Sequence, residues 1–245
     1  MTTYKEEIYS RYLEHTAITG QAPDKYAYES WASATEYYSK GWFPDDKEAE
    51  ILDLGCGAGY FLKMMHDKGY TKLTGADLSS GQVYLAKKAC PEAKVILGDC
   101  RNILQQSPAT YDLITGFDFV EHLNKGELLE MLQLVCKSLR PGGRVIFQTP
   151  NPDSPFGMKI RYGDFTHELS LSPQGFHSIL KFAGLTDYKP RECGPYPHGF
   201  VSFTRCLLWR VLRLCIPLWS LIETGDHGSG IYTRVFIVTA VKRVN

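Results

Sequence analysis

An α/β fold, with a parallel sheet covered by helices on both faces, is what this chain of 245 residues predicts. Three observations predict it. From residue 50 onward, short apolar runs alternate with helical stretches, the pattern of repeated βαβ units. The first apolar run leads straight into a glycine-rich turn and then a helix. The length suffices for one large domain with a real core, or for one domain with a cap.

The elements follow in order. Residues 1–49 carry little strand pattern but many aromatic rings, Tyr28, Trp31 and Trp42 among them. They read as two or three short helices, either packed onto the domain or closing over a ligand as a lid. EILDLG (50–55) is a buried strand, and AGYFLKMMHDKGY (58–70) is a helix stopped by Gly69. LTGADLS (73–79) and AKVILGD (93–99) are strands around the helix SGQVYLAKKAC (80–90). YDLITGFDF (111–119) is a fourth strand. The helix KGELLEMLQLVCKSL (125–139) follows, with Leu128, Leu129, Leu132 and Val135 on its apolar face. RPGGRVIFQTPN (140–151) is a turn and a fifth strand. SPQGFHSILKFAGL (172–185) is a helix with Ser172 as N-cap and Pro173 in its first turn, stopped by Gly184. TDYKPREC (186–193) and IYTRVFIVTAVKR (231–243) are the last strands, the second rich in β-branched residues. The division is a helical lid over 1–49 and a sheet domain over 50–245, with an insertion at 194–230.

Lys and Arg number 27 against 27 Asp and Glu, so the formal net charge is zero. A dedicated nucleic-acid binder usually carries a basic stripe, and nucleic acid is therefore not an expected partner. A composition 22% charged and 13% aromatic excludes a disordered chain. The seven cysteines contain no CxxC pair and read as reduced thiols of a cytoplasmic protein. The polar start MTTYKEEIYSRYLEH is no secretory signal.

The strongest motif is ILDLGCGAGYF (51–61). Glycines at 55, 57 and 59 let the backbone turn sharply and let a ligand approach, while helix amides face it. A dinucleotide fingerprint needs Gly or Ala at the sixth position, where this chain has Tyr60, so a pyrophosphate reading fails. Asp77 ends the second strand, where an acid accepts both hydroxyls of a ribose. Asp99 ends the third, where an acid can meet an adenine amino group.

With these motifs, and with YDLITGFDFVEHL and LRPGGRVIFQTPN, the chain resembles the class I S-adenosylmethionine-dependent methyltransferases over roughly residues 45–152. The resemblance implies a Rossmann-like sheet of seven strands with the last one antiparallel. It implies S-adenosyl-L-methionine as cofactor, leaving as S-adenosyl-L-homocysteine. Asp53 and the turn Gly55, Cys56, Gly57 and Gly59 would hold the methionine part. Asp77, with Leu78 beside it, would hold the ribose, and Asp99 with Cys100 the adenine. Phe117 would line the methyl-transfer face.

A hydroxyl acceptor is a poor nucleophile and needs a base, whereas an amine needs only its lone pair. His167 is the first-choice base, with Glu168 beside it and His122 as the second candidate. Asp164 and Glu168 would orient His167, or the three would bind a metal. No ligand spacing calls for a metal. The stretch 149–185 is also similar to methyltransferases of bacterial surface-polysaccharide biosynthesis, which implies a glycan, lipid-linked glycan or nucleotide-sugar acceptor. The alternatives are a small metabolite, with ubiquinone-pathway methyltransferases as comparison, or a protein that binds the cofactor without turnover.

Residues 200–222 are strongly apolar but carry Arg205, Arg210, Arg213 and Pro217, which argues against a membrane span. On a helical wheel the arginines share one side and leave a broad apolar face. Three readings stand: a cap buried on the sheet domain, a homodimer interface, or a peripheral contact with the inner face of a membrane.

Overall fold

The computed structural model describes residues 4–10 and 25–244. Seven strands form one sheet: β1 (Ile51–Leu54), β2 (Leu73–Asp77), β3 (Lys94–Leu97), β4 (Tyr111–Phe117), β5 (Leu139–Pro150), β6 (Leu185–Glu192) and β7 (Val235–Lys242). Their order is β3-β2-β1-β4-β5-β7-β6. β1 to β5 pair parallel, and β7 runs antiparallel to both β5 and β6. The expected antiparallel last strand is therefore present, inserted between its neighbours rather than at an edge. Its sequence explains the position. Phe236, Ile237, Val238 and Ala240 are all fully buried, so both faces of the strand need cover.

The helices are α1 (Tyr4–Ser10), α2 (Lys25–Tyr38), α3 (Tyr60–Asp67), α4 (Ser80–Ala89), α5 (Cys100–Gln105), α6 (Lys125–Ser138), α7 (Gly157–Arg161), α8 (Pro173–Phe182) and α9 (Phe200–Thr224). Two apolar clusters lie on the two faces of the sheet. α6 and α8 pack against one, which takes Leu52 and Leu54 from β1. α3 and α4 pack against the other, which takes Ile51 from the same strand. This alternation is the period of two that a strand imposes.

The helix ends are set by local chemistry. Ser172 accepts a hydrogen bond from the Gly175 amide at 3.1 Å, and Gly184 stops the segment with φ +93°. Asn124 and Glu127 form a capping box at the start of α6. Within α6, Met131 joins Leu128, Leu132 and Val135 as a buried residue, while Leu129 is only half-buried. Neither α5 nor α7 was expected, since each is too short to show a helical period.

Part of the expected lid, residues 1–3 and 11–24, lies outside the described residues. The buried-cap expectation for residues 200–222 is overturned. α9 runs unbroken through Pro217, and among its side chains only Ser202 and Cys206 are buried. It is tethered by a polar seam instead. Arg213 pairs with Glu192 at 3.2 Å, and Trp209 Nε1 donates to the same carboxylate at 3.4 Å.

Candidate cofactor and acceptor site

A cavity of about 840 Å³ opens at the carboxyl ends of β1 to β4, where ligands of parallel sheets bind. Asp53, Gly55, Cys56, Gly57, Asp77, Leu78, Asp99, Cys100, Phe117 and His122 all line it. Gly59 does not. It starts α3 with φ +82°, and a Cβ there would lie 2.9 Å from the Ala86 Cα, so Gly59 serves the contact between α3 and α4. Gly55 does shape the cavity: its φ is +63°, and a Cβ would sit 2.7 Å from the Phe119 ring.

The carboxylates differ in what holds them. Asp77 Oδ2 accepts from the Gly57 amide at 2.9 Å, and Oδ1 from the Ser79 amide at 2.8 Å. It thus ties the glycine turn to the start of α4. Asp53 is 3% exposed, and Thr115 donates to it at 2.7 Å. Burial pushes its carboxyl up to about 7, and among the described residues no Lys or Arg pairs with it. Asp99 caps α5 through the Arg101 amide at 2.8 Å and is gripped by the Arg101 guanidinium at 2.5–3.1 Å. Burial opposes its charge, but the Arg101 bonds outweigh burial and hold the carboxyl below its ordinary range. The Cys100 thiol is pushed up to about 12 by burial and stays neutral.

Two helices before the sheet complete the wall. Trp31 of α2 lines the cavity, edge-to-face with Tyr60 at 5.7 Å and Phe117 at 5.5 Å. Lys5 of α1 also lines it and pairs with Glu127 at 2.7 Å.

Beyond β4 the chain turns through Asp118, a non-glycine residue at φ 51° whose carboxylate accepts from Gln148 at 3.1 Å. The 3₁₀ turn Val120–His122 follows. The Thr166 hydroxyl donates to Asp164 at 2.6 Å and stands 2.8 Å from His122 Nδ1. With its proton given to Asp164, the Thr166 hydroxyl can accept from Nδ1 of His122, and backbone groups of Thr166 and Asp118 also bond the ring. Burial, reinforced by neighbouring His167, lowers His122 to about 4.

His167 and Glu168 do not line the cavity. The His167 ring meets His122 edge-on, centroids 4.8 Å apart, and its Nδ1 donates to the Ile160 carbonyl at 3.1 Å. The Asp164 carboxylate bonds Thr166, which stands beside His122, while its charge is felt by both His122 and His167 and its carbonyl accepts from the His167 amide at 3.3 Å. The Glu168 carboxylate accepts from the Tyr4 hydroxyl, and its amide donates to the Glu121 carbonyl at 2.7 Å. Glu121 is buried, with Oε2 accepting from Thr149 at 3.2 Å and Oε1 unpartnered. Burial raises its carboxyl well above the ordinary range. Ligand atoms of Glu121, His122 and His167 lie within 4.8 Å of one another, so these are residues that could hold a cation. The sequence reading missed Thr166, Arg101 and Lys5. Of these only Thr166 carried a signal, its place in the polar loop GDFTHE.

The cavity fits an adenosyl amino acid. It offers a buried carboxylate with no cation partner for an ammonium, a fixed acid for a diol, and a glycine wall that a side chain would fill. The family model of the methyltransferase domain matches residues 24–189. A ubiquinone biosynthesis O-methyltransferase of Pectobacterium carotovorum is 28% identical over 137 residues, 54% of this chain and 56% of that protein. The chain thus spans about half the length of such curated relatives. A SAM-dependent methyltransferase from Archaeoglobus fulgidus matches with TM-score 0.64 and 22% identity, covering 88% of this chain and 94% of that one. The Haemonchus contortus phosphoethanolamine N-methyltransferase 2, solved with S-adenosyl-L-methionine, matches with TM-score 0.59 and 16% identity, covering 96% of this chain and 60% of that one. These likenesses establish a shared fold, and the residues lining the cavity fit S-adenosyl-L-methionine, the cofactor with which the Haemonchus contortus protein was solved. With its seven strands in this order and its glycine turn at the head of β1, the chain belongs to the methyltransferase-domain family.

Proposed function

We propose that the protein is an O-methyltransferase acting on a sugar hydroxyl of a glycan, lipid-linked glycan or nucleotide sugar in surface-polysaccharide biosynthesis. The observation that carries O-methylation is His122, an imidazole on the cavity wall that burial keeps neutral and that Thr166, itself held by Asp164, orients. When bound, the cofactor supplies an activated methyl group on a sulfonium. The residues supply position and a place for the proton. Asp53 takes the ammonium, Asp77 the ribose diol, and Asp99, Cys100 and Leu78 border the adenine. Trp31 and Lys5 close the wall over them, as a lid. An acceptor hydroxyl bound beside His122 would give its proton to that ring as its oxygen took the methyl group. A hydroxyl becoming an ether sheds a far more acidic proton than a free alcohol does, so a base near 4 suffices. The imidazolium that forms keeps its Nδ1–H on Thr166, which relays the charge of Asp164. His167 and Glu168 hold this arrangement from behind rather than touching the acceptor.

A second reading, methylation of a small metabolite, is favoured by the names of the curated relatives, which belong to ubiquinone biosynthesis. A lipid-linked acceptor would place the reaction at the cytoplasmic face of a membrane. The experiment is transfer from labelled cofactor into cell extract separated into small metabolites, nucleotide sugars, lipid-linked glycans and macromolecules. Label in a sugar-bearing fraction is expected. Label confined to non-sugar metabolites would replace the first reading by the second. No label anywhere, with cofactor still bound, would leave a binding protein without turnover.

A further inference from the structure

We propose that α9 lies in the surface of an anionic bilayer and turns the acceptor side of the protein toward the lipid. This does not depend on which acceptor is methylated.

The helix is 25 residues, about 37 Å long at 1.5 Å per residue. Its inner line, Ser202, Cys206, Trp209 and Arg213, faces the domain. At 100° per residue the opposite half carries Phe203, Leu207, Val211, Leu214, Leu218 and Ile222. These six are 45–77% exposed. An apolar surface of this extent on one helix requires an occupant.

Charge indicates which occupant. Arg205 and Arg210 fall on opposite flanks of the apolar half, where the helix would meet the headgroups. Among the described residues neither has an acidic partner. The helix holds three arginines against one acid, Glu223, in a protein of zero net charge. Arginines with long stems at the edge of an apolar face can reach anionic headgroups while that face enters the acyl boundary. Trp219 sits at the same edge, the depth that indole favours. The helix lies flat rather than spanning, since no helix among the described residues is long and apolar enough to cross a membrane.

Topology agrees with this. β6 runs antiparallel to β7, which runs antiparallel to β5, so β5 and β6 point the same way. The segments after both strands therefore leave from the cofactor edge of the sheet. The segment after β5 exposes Phe156, Met158, Tyr162 and Phe165, with Lys159 between them, while the Arg161 guanidinium is held by the His167 and Glu168 carbonyls. Exposed apolar side chains with a cation beside them thus recur on two segments at the cofactor edge of the sheet. A second copy of the chain would account for the ridge on α9 but not for this repetition.

The test is flotation of the full chain with vesicles of phosphatidylcholine alone, or with about a third phosphatidylglycerol, alongside sedimentation without lipid. The expected result is flotation with anionic vesicles and a monomer in their absence. The double variant V211E/L218E should lose at least about tenfold in vesicle binding while keeping cofactor affinity, which shows it folded. R205Q/R210Q should lose the preference for anionic vesicles. Equal flotation on both vesicle types would overturn the role of the arginines. No flotation would overturn the proposal. If the protein is then a dimer that V211E/L218E dissociates, α9 is a copy-to-copy interface.

Discussion

The cofactor half of the cavity is built from backbone and strand ends, and the acceptor half from side chains on loops. In the first half, Asp77 is held by two amides, Gly55 is fixed by its dihedral angle, and every element is a few residues from a buried strand. In the second half, His122 is aimed by a hydroxyl from a loop that follows a different strand, and that hydroxyl is aimed by Asp164. Backbone-built recognition suits a ligand that every member of a fold binds alike. Side-chain recognition on loops suits one that differs between members.

This contrast can be broken in order of effect. His122→Asn should leave cofactor affinity intact and cut kcat by about 100- to 10,000-fold, the range for loss of a general base. Equal loss of kcat and affinity, measured by turnover and calorimetry, would erase the division between the halves. Asp77→Ala should do the reverse of His122→Asn, weakening cofactor binding by at least about 100-fold through loss of charge-assisted hydrogen bonds. Unchanged affinity in calorimetry would remove the ribose assignment.

The acidity of Asp53 sharpens the comparison. Its folded value lies near 7, above its ordinary value of 3.8, so the free protein favours the protonated form. An ammonium ligand requires the ionised form. Cofactor affinity should therefore rise about tenfold between about pH 6 and about pH 8, with proton release, and Asp53→Asn should flatten the rise. Without ligand the sign reverses. The folded state binds the extra proton between 3.8 and about 7, so stability falls as pH rises through that window.

The smallest effect is at Glu121, whose buried carboxyl is also raised. Glu121→Gln keeps the shape and removes the ionisation, so it should change stability by less than about 1 kcal/mol near pH 5. The variant should then gain on the parent as pH rises, because the parent alone must ionise a buried acid. Parallel stability curves for the two proteins, from denaturant titrations, would show that Glu121 ionises freely.

The sequence disclosed the two halves unequally, and for the same physical reason. Asp53, Gly55 and Asp77 are legible because strand, turn and acid are adjacent in the chain, and the backbone demands particular residues. His122 and His167 were legible as candidates, but their order was not. Which of them borders the cavity depends on how the loop after β5 folds over the turn after β4. That folding rests on Thr166, whose hydroxyl resembles any other in a polar loop. α9 failed as a buried cap because its wheel shows an apolar half without showing which half the domain covers. A seam as short as Glu192 with Trp209 and Arg213 decides that, and it joins α9 to a strand end outside the helix.

The position of β7 also bears on synthesis. Chains emerge from the ribosome N-terminus first, and β6 has no partner in the sheet until residues 235–242 follow it. Until then β5 presents an open edge, and the apolar ridge of α9 is already made. During that interval the nascent chain carries two adhesive surfaces at once, one a strand edge and one a greasy helix. A chaperone or a nearby lipid surface that shields the helix would protect the edge as well, by keeping the unfinished chain away from its neighbours.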